Sequence, residues 1–356
     1  MDGTHLNNKI GIVGGGITGL ISAYFLSLEG YKVDLYEKKT LLSETSSKTT
    51  KLIHGGIRYL ENLQFHEVKN GINDRKWWLE NFPNETKLQE IIILSKKKLS
   101  PEIFKFFFGI KVYETFAGRS NIKTGRLYKQ DNLLSLGIKN NISAGISFYD
   151  GLMQESVGQE IIKRCRSNGV NFYENNEIKS IRSEGRIEEK QYKKIIIATG
   201  PWASSFLKQN KIDTNKTIDY IKGSHLIINR KIKKGLMFRD QKKHRYIFAL
   251  PYQGNLLLGT TEQRVRSPED NHVLDLEVNY LLESINIYID RPINKDEIIK
   301  SYSGVRPLIK SKAQDFHSSS RDFYIQKDHN LLSLFGGKWT TAPSLARNIV
   351  RIVNNE

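Results

Sequence analysis

The stretch KIGIVGGGITGLISAYFLSLEGYKVDLYEK, residues 9–38, decides the fold of this chain. It begins with a short apolar run, and three glycines follow at once in G-x-G-x-x-G spacing, at Gly14, Gly16 and Gly19. Apolar residues then recur at helical spacing until Gly30, and a second apolar run follows. This order predicts a strand, a glycine-rich turn, a helix and a parallel strand, which together form a dinucleotide-binding β-α-β unit.

Each conspicuous residue of this unit has a physical reason to be there. Gly14 allows a tight turn, Gly16 lets the backbone approach a pyrophosphate, and Gly19 lets the helix pack closely on the strand. Ile17 and Thr18 begin the helix beside the expected phosphates. Glu37, at the end of the second strand, is predicted to accept a hydrogen bond from a ribose hydroxyl, and it would repel a 2′-phosphate. The unit therefore favours FAD or NAD over NADP, and the alternative is a glycine-rich turn in an ordinary α/β unit.

A later stretch, YKKIIIATGPWA at 192–203, separates the two remaining cofactors. Three isoleucines predict a buried strand that ends at Ala198-Thr199-Gly200. On composition alone this could be any parallel strand. An ATG turn after an apolar strand, far downstream of a first β-α-β unit, resembles the two-dinucleotide-domain flavoproteins, and it favours FAD. Thr199 and Gly200 are therefore candidate cofactor-binding residues.

Composition bounds the remaining possibilities. With 356 residues, 38% of them hydrophobic, the chain can bury a large core and is predicted to form two domains or one elaborate domain. The net charge of +17 favours an anionic partner, which could be a nucleic acid, a phospholipid surface or a phosphorylated small molecule. Cys165 is the single cysteine, so an intramolecular disulfide and a multi-cysteine metal site are excluded, and no metal is expected. No signal peptide and no spanning helix are expected, and the chain is predicted to be cytoplasmic.

Six further stretches carry a resemblance to a known family. They are SSKTTKLIHGGIRYLE at 46–61, ATGPW at 198–202, KGSHLII at 222–228, LLLGTTE at 256–262, YSGVRPL at 302–308 and FGGKWTT at 335–341. In this order they resemble the FAD-dependent glycerol-3-phosphate dehydrogenases, within the D-amino-acid-oxidase-like flavoprotein superfamily. The motifs GGIRYLE and GVRPL are specific to that family. The resemblance runs from about Ile10 to the end of the sequence.

The resemblance implies a fold, an activity and a cofactor. The fold class is α/β, or α+β overall, with a Rossmann-like FAD-binding domain and an antiparallel-sheet substrate domain. The activity is oxidation of glycerol 3-phosphate to dihydroxyacetone phosphate, with hydride transfer to flavin N5 and electrons passed to quinone or another acceptor.

The resemblance also assigns cofactor-binding residues. In the stretch at 46–61 they are Ser46, Ser47, Lys51, Leu52, His54, Gly55 and Gly56. Near the carboxy terminus they are Gly336, Gly337, Lys338, Trp339 and Thr340. The final helix would begin after these residues, with a threonine cap and Pro343 in its first turn, and its amino terminus could face the flavin. A simple capped surface helix is the competing interpretation.

Substrate-binding and catalytic residues follow from the same motifs. The pocket for a phosphate dianion should present cations, above all forked guanidinium donors. By resemblance the candidates are Arg58, Arg306, Arg321 and Lys338, and Tyr59 would also face the substrate. Oxidation also needs a base for the hydroxyl proton, for which a neutral imidazole near its unperturbed pKa is suited. His225 is the first choice and His54 the second, with Arg306 completing the catalytic set. The alternative for His225 is a strand-end histidine bonded to a neighbour.

The FAD-binding domain is predicted to be discontinuous, with residues 1–76, 148–218 and 301–356. Residues 77–147 and 219–300 would form the substrate-binding domain, which includes a hairpin from HRYIFALPY and NLLLGTTE around Gly254. Members of the family usually continue with a helical carboxy-terminal domain, whereas this sequence stops at Glu356. It also has YDGLMQES, at 149–156, where members carry an Asp-Ala-Arg-Leu-type segment, and Ala342-Pro343 where they carry Tyr-Arg.

One segment bears on membrane contact. Lys96, Lys97 and Lys98 precede Phe104 and Phe106–Phe108, and this basic, aromatic run could lie in a lipid interface on the cytoplasmic membrane face. Packing in the core is the equal alternative.

Three other functions compete with the main one. The first is a non-catalytic flavin-binding protein, which substitution of Arg306 and His225 without loss of turnover would favour. A related FAD-dependent oxidase or dehydrogenase of a 2-hydroxy acid or amino acid would use the same cations for a carboxylate. A nucleic-acid-binding protein would need clustered cations interleaved with stacking aromatics, whereas the cations here are scattered.

Overall fold

The computed structural model describes residues 8–56, 65–96, 107–111, 115, 124–240, 245–310 and 323–356. Its principal helices are α1 Ile17–Leu28, α2 Phe65–Asn81, α3 Gln130–Leu134, α4 Val157–Ser167, α5 Ala203–Gln209, α6 Asp275–Asn286 and α7 Ala342–Asn355. The strands of the first third of the chain are β1 Lys9–Val13, β2 Lys32–Tyr36, β3 Leu52–Ile53 and β4 Thr86–Ser95.

The central strands are β5 Leu127–Lys129, β6 Ala144–Met153, β7 Asn171–Tyr173, β8 Ile181–Arg182, β9 Arg186–Ile187, β10 Lys190–Gln191 and β11 Lys194–Ile197. The last strands are β12 Ile218–Ile228, β13 Gly235–Arg239, β14 Tyr246–Tyr252, β15 Asn255–Gly259, β16 Gln263–Val265, β17 Ile298–Ile309, β18 Phe323–Asp328 and β19 Leu331–Gly336.

The first sheet contains the predicted β-α-β unit. Its order is β18-β19-β11-β1-β2-β7, and β1 pairs in parallel with both β2 and β11. Ile12 lies opposite Leu35 on one side and Ile196 on the other. Only β18, at one edge, runs antiparallel to its neighbour. The predicted β-α-β unit, with α1 connecting β1 to β2, is therefore confirmed. The predicted strand at 195–197 is confirmed as part of β11.

Both faces of this sheet are covered, as a parallel sheet requires. Ile10 and Ile12 point into a core shared with α1, α4 and α7. Val13 joins Ile195 and Ile197 in a second core, where residues of β8, β9 and α5 also pack. Helix α1 is buried on most sides, although Leu28, at its last turn, is exposed rather than part of the predicted apolar face.

The second sheet is long and mostly antiparallel. Its order is β16-β12-β15-β14-β13-β4-β6-β3, with β17 pairing β12 and β5 pairing β6. The predicted hairpin is confirmed as β14 and β15, joined through Gln253 and Gly254, which both have positive φ. A two-residue turn of this kind matches the twist of the strands that it joins. The parallel first sheet and this second sheet together confirm the predicted fold class.

The division into two domains stays a prediction. The first sheet takes its strands from residues 9–36, 171–197 and 323–336, and the second sheet from 52–53, 86–153 and 218–309. Strands β6 and β17 run across the predicted boundaries at 147/148 and 300/301. We propose that the two sheets mark the two domains, with boundaries to be placed by the stability of the isolated parts.

Candidate active site

A large cavity opens where the parallel strands of the first sheet end. Its volume is about 1040 Å³, and its wall includes the residues that end or follow β1, β2, β11 and β19. Open α/β sheets bind ligands at the carboxyl ends of their strands, because the loops that follow the strands diverge there. The second sheet closes the other side through residues of β12 and β17 and the turn after β15. The cavity is therefore shared by both sheets.

The glycine-rich turn lies at one end of this cavity. Gly14 has φ of +111°, and a Cβ built on it would lie 2.4 Å from the Ala198 carbonyl oxygen. A Cβ on Gly19 would lie 2.0 Å from the Gly14 carbonyl oxygen, so only glycine lets α1 pack on this turn. Helix α1 begins after Gly16 without a side-chain cap and has no acidic residue in its first turn. A helix amino terminus with these features suits an anionic group.

Two contacts join neighbouring loops to this turn. Glu37 accepts hydrogen bonds from the Gly15 and Lys39 amides, at 2.7 and 2.9 Å. Ser46 accepts one from the Ile17 amide at 2.9 Å. The Trp339 indole in turn donates to the Ser46 carbonyl oxygen at 2.8 Å. The turn, the 46–47 segment and the carboxy-terminal motif are therefore held as one unit.

Most of the predicted cofactor-binding residues lie on the cavity wall. Those that line it are Gly14, Gly16, Ile17, Thr18, Glu37, Ser46, Leu52, His54, Gly56, Thr199, Gly200, Gly336, Gly337, Lys338, Trp339 and Thr340. Four others lie behind the wall: Gly19, Ser47, Lys51 and Gly55. Lys51 is half-buried, its Nζ donates to the Ser47 carbonyl oxygen at 2.8 Å, and desolvation of the side chain lowers its pKa to about 8.

The segment from Leu52 to Gly56 is fixed by a buried carboxylate. Asp150 is 1% exposed, and its Oδ1 accepts from the Gly55 amide at 2.8 Å and from Arg75 Nη1 at 3.2 Å. His54 Nδ1 lies 3.7 Å from Asp150 Oδ2, and the His54 amide donates to Thr340 Oγ1 at 3.1 Å. This contact brings the first and last predicted motifs together at the cavity.

His225 lies in the second sheet, on the cavity wall. Its Nε2 is 2.9 Å from Thr50 Oγ1, and its ring stacks on Tyr302 with centroids 5.0 Å apart. Burial lowers its pKa to about 3, helped by the positive charges of Arg306, Lys51 and Arg245. The expectation of an imidazole near its unperturbed pKa is therefore wrong in degree, although the ring is neutral as expected. The cause is that a buried cation among cations is disfavoured.

Arg306 supplies positive charge to the same part of the cavity. Its Nη2 donates to the Thr261 carbonyl oxygen at 3.3 Å and lies 3.9 Å from Glu262 Oε1. Glu262 also lies 3.7 Å from Arg245, so one carboxylate offsets part of the charge of two guanidinium groups. Lys338 lines the cavity as well. The predicted substrate residues Arg58, Tyr59 and Arg321 lie outside the described residues.

Sequence reasoning missed several residues of this site. Thr50 stands inside the stretch at 46–61, but no pattern pairs it with a histidine 175 positions later. Asp150 and Glu262 likewise lie in quoted stretches without a predicted role. The available signal was one acidic residue within each quoted stretch, and that signal is weak alone.

The cavity wall also presents polar groups that suit a dinucleotide. Thr199 Oγ1 is buried on the wall and has no hydrogen-bond partner among the residues that the structure describes. Close packing forbids a Cβ at Gly14, while Gly200 and Gly337 have positive φ. These features leave backbone and hydroxyl groups for a long, anionic ligand.

Two other expectations concern metals and cysteine. In the described ranges no group of three or more His, Cys, Asp or Glu side chains could hold a metal ion. Cys165 is free and buried, and burial raises its pKa to about 12. No helix of the described chain is long and apolar enough to cross a membrane.

Glycerol-3-phosphate dehydrogenases are among the known proteins that are similar to this chain. The glycerol-3-phosphate dehydrogenase of Pseudomonas tolaasii is 28% identical over 95% of this chain and 70% of its own length. The aerobic glycerol-3-phosphate dehydrogenase of Staphylococcus saprophyticus is 30% identical over 96% of this chain and 66% of its own length. The chain thus spans about two thirds of the length of these curated relatives.

A solved structure shares the fold. The L-alpha-glycerophosphate oxidase of Mycoplasma pneumoniae, with FAD bound, superposes with a TM-score of 0.78 at 20% identity, over 97% of this chain and 94% of that one. A family model for FAD dependent oxidoreductases matches residues 9–352. This match covers both sheets and every described wall residue of the cavity. The chain therefore belongs to the FAD dependent oxidoreductase family, and its cofactor is FAD.

Proposed function

We propose that this chain oxidises glycerol 3-phosphate to dihydroxyacetone phosphate. The observation that carries the proposal is the cavity itself, because Arg306, Lys338 and His225 line the same space as the dinucleotide turn. The names of the two curated relatives support the choice of substrate.

The two cations account for binding of the phosphate. A phosphate monoester carries close to two negative charges at pH 7, since its second pKa is about 6. The Arg306 guanidinium presents forked donors that match phosphate oxygens, and Lys338 adds a point charge. We also retain Arg58, Tyr59 and Arg321 as predicted substrate residues.

The imidazole of His225 is the base that we propose for the hydroxyl proton of the substrate. Its ring is neutral at physiological pH because of burial and neighbouring cations. A bound phosphate dianion would offset the charges of Arg306, Lys51 and Arg245, so the imidazole can take a proton more readily when substrate is present. When bound, FAD supplies the acceptor for the hydride that leaves the carbinol carbon. Arg306 completes the catalytic set by neutralising charge on the substrate, and His54 remains the second candidate base.

The flavin must then pass its electrons on, and we propose a quinone as the acceptor. We also propose that the chain is cytoplasmic and touches the membrane face peripherally. Phe107 and Phe108 are 48% and 69% exposed, and Lys111 Nζ lies 5.7 Å from the Phe107 ring centroid. Lys97, Lys98, Phe104 and Phe106 lie outside the described residues. Exposed aromatic and basic groups of this kind suit an anionic lipid interface.

The membrane proposal is tested by sedimentation with anionic vesicles at low salt. We expect binding by the wild type and weaker binding by a Phe107→Ser, Phe108→Ser double variant. Leu127→Ser and Leu134→Ser, which alter other exposed apolar residues, serve as the matched control. Equal binding of both double variants would contradict a role for the phenylalanines.

The substrate is tested by an anaerobic titration of the FAD-loaded protein with glycerol 3-phosphate. We expect rapid loss of the oxidised flavin absorbance. Flavin that stays oxidised with glycerol 3-phosphate but bleaches with a 2-hydroxy acid or an amino acid would move the function to the related oxidases.

A further inference from the structure

The ring of His225 is held by its neighbours in the second sheet. In strand β12, His225 lies opposite Gly259 of β15 on one side and Tyr302 of β17 on the other. The ring stacks on Tyr302 at an interplanar angle of 17°, and a Cβ built on Gly259 would lie 2.3 Å from His225 Cδ2. The ring therefore has little room to turn.

The two ring nitrogens differ in their contacts. Nε2 lies 2.9 Å from Thr50 Oγ1. Nδ1 is buried and has no hydrogen-bond partner among the residues that the structure describes. The whole residue is 3% exposed. Among the described residues, the Thr50 hydroxyl is thus the hydrogen-bond partner of this imidazole.

Thr50 itself is half-buried and lines the cavity. Its position is set from the sheet, because the Tyr302 hydroxyl donates to the Thr49 carbonyl oxygen at 2.8 Å. Tyr302 therefore fixes both the ring of His225 and the segment that carries Thr50. The Thr50 hydroxyl therefore lies at the cavity wall and contacts the His225 imidazole.

We infer that Thr50 relays the hydroxyl proton of the substrate to His225. The inference rests on the proposed function. The substrate O–H bond breaks as a new O–H bond forms on Thr50 Oγ1, and the original Thr50 proton passes to Nε2 of His225. The two electrons of the carbinol C–H bond leave with the hydrogen as hydride, for which FAD is the oxidant. The products are the ketone, reduced flavin and a His225 imidazolium, so atoms and charge balance.

A purely structural role for Thr50 makes a different prediction. In that case the hydroxyl only satisfies Nε2, and its loss changes folding rather than the rate of flavin reduction. The two roles are separated by the rate in a variant that keeps the shape of threonine but lacks the hydroxyl, and by rescue with serine.

The kinetic experiment compares Thr50→Val, Thr50→Ser and Thr49→Val in the FAD-loaded protein. Thr49 is the matched control, because it lines the same cavity and its hydroxyl accepts from the Lys51 amide at 3.3 Å rather than contacting His225. Anaerobic stopped-flow reduction by glycerol 3-phosphate is measured. We expect Thr50→Val to lose about 10²-fold in rate, the low end of proton-transfer contributions, and the other two to lose less than about 5-fold. A Thr50→Val protein that reduces its flavin at the rate of the Thr49→Val protein would overturn the relay.

A second readout does not depend on turnover. Nitrogen-15 shifts of histidine, assigned with a His225→Gln variant, report which ring nitrogen carries the proton. We expect the His225 signals of Thr50→Val to differ from those of the wild type, and Thr50→Ser to restore them. Unchanged signals would overturn the Thr50 contact itself.

Failure of the proposed function looks different from failure of the relay. If glycerol 3-phosphate leaves wild-type flavin oxidised, the substrate is wrong, and the same three variants are compared with the hydroxy acid or amino acid that does reduce it. If the wild type is reduced by glycerol 3-phosphate and Thr50→Val is equally fast, the substrate stands and the relay is wrong.

Discussion

His225 is a histidine whose surroundings oppose its charge. It is buried beside Tyr302, and Arg306, Lys51 and Arg245 all act to lower its pKa. The neutral ring is useful for accepting a proton, but the same environment makes the folded protein sensitive to acid. For His225, the low pKa therefore keeps the ring ready to accept a proton and lowers the stability of the folded protein in acid.

The pH dependence of stability follows from that pKa. The folded-state pKa is about 3, below the ordinary value of 6.5, so the unfolded chain binds a proton that the folded chain refuses between these values. The free energy of unfolding should therefore fall as the pH falls through this window, by at most about 1.4 kcal/mol per pH unit from this group.

Urea denaturation between pH 4 and pH 7.5, measured for wild type and His225→Gln, checks this expectation. The variant should show the shallower dependence. His329→Gln, at a histidine whose side chain is 78% exposed, is the control and should keep the wild-type slope. Equal slopes for wild type and His225→Gln would show that the ring is not held neutral.

Arg306 carries the second prediction at the scale of the residue. Lysine keeps the charge but loses the planar fork, so Arg306→Lys should weaken phosphate binding. We expect kcat/KM for glycerol 3-phosphate to fall about 10- to 100-fold, the equivalent of a charged hydrogen bond. Arg264→Lys, at an exposed arginine paired with Asp219, should leave kcat/KM unchanged in the same steady-state assay. A similar loss in both variants would remove the special role of Arg306.

At the scale of the element, strand register places the catalytic groups. β12 is paired on both sides, so His225 lies between Gly259 and Tyr302. Glycine at position 259 leaves the space that the imidazole fills. A shift of one residue would turn His225 to the opposite face of the sheet. The register is therefore as important to the site as the histidine itself.

Gly259→Ala tests this placement. The added Cβ would lie 2.3 Å from His225 Cδ2, so the ring must move. We expect FAD to remain bound, stability to fall by about 1–3 kcal/mol through overpacking, and flavin reduction to slow at least about 10-fold. Absorbance titration with FAD, thermal unfolding and stopped-flow reduction measure the three effects.

Gly235→Ala is the matched control for this strand substitution. Its added Cβ would meet the Ile91 and Leu250 side chains at 3.0 Å, in the same sheet but away from the cavity wall. A loss of stability without slower flavin reduction is expected. Equal kinetics in the Gly259→Ala and Gly235→Ala proteins would contradict the role of register at His225.

At the scale of the whole molecule, charge should draw the substrate in. The chain carries 55 Lys and Arg against 38 Asp and Glu, and the cavity wall includes Arg306 and Lys338. A positive field raises the encounter rate of a dianion, and salt screens it over a Debye length of about 10 Å at 0.1 M. We expect kcat/KM for glycerol 3-phosphate to fall about 3- to 10-fold between 20 and 300 mM salt while kcat changes little.

Initial rates over this salt series check the expectation, with sucrose at matched osmolality as the control for solvent effects. A value of kcat/KM that does not change with salt would show that the net charge serves another partner. The membrane surface would then be the first alternative to examine, by the vesicle assay.

The local units of this protein could be predicted from its amino-acid pattern. Short apolar runs, helical apolar spacing and the glycine spacing predicted β1, α1, β2 and β11, because these elements depend on neighbours a few positions away. The motif order predicted which segments meet at the cavity, and His54 indeed contacts Thr340. The roles assigned to the individual wall residues, and to Arg58, Tyr59 and Arg321, stay predictions.

The contacts between side chains of the two sheets could be seen only in the folded chain. Thr50 contacts His225, Asp150 accepts from the Gly55 amide, and Glu262 lies 3.9 Å from Arg306. The low pKa of His225 also arises from groups that are far apart in sequence. Contacts of this kind depend on strand register and on how the sheets pack, and a linear pattern contains neither. Local patterns thus predicted the β-α-β unit and the resemblance implied the fold class, whereas the chemistry of the site required the packed molecule.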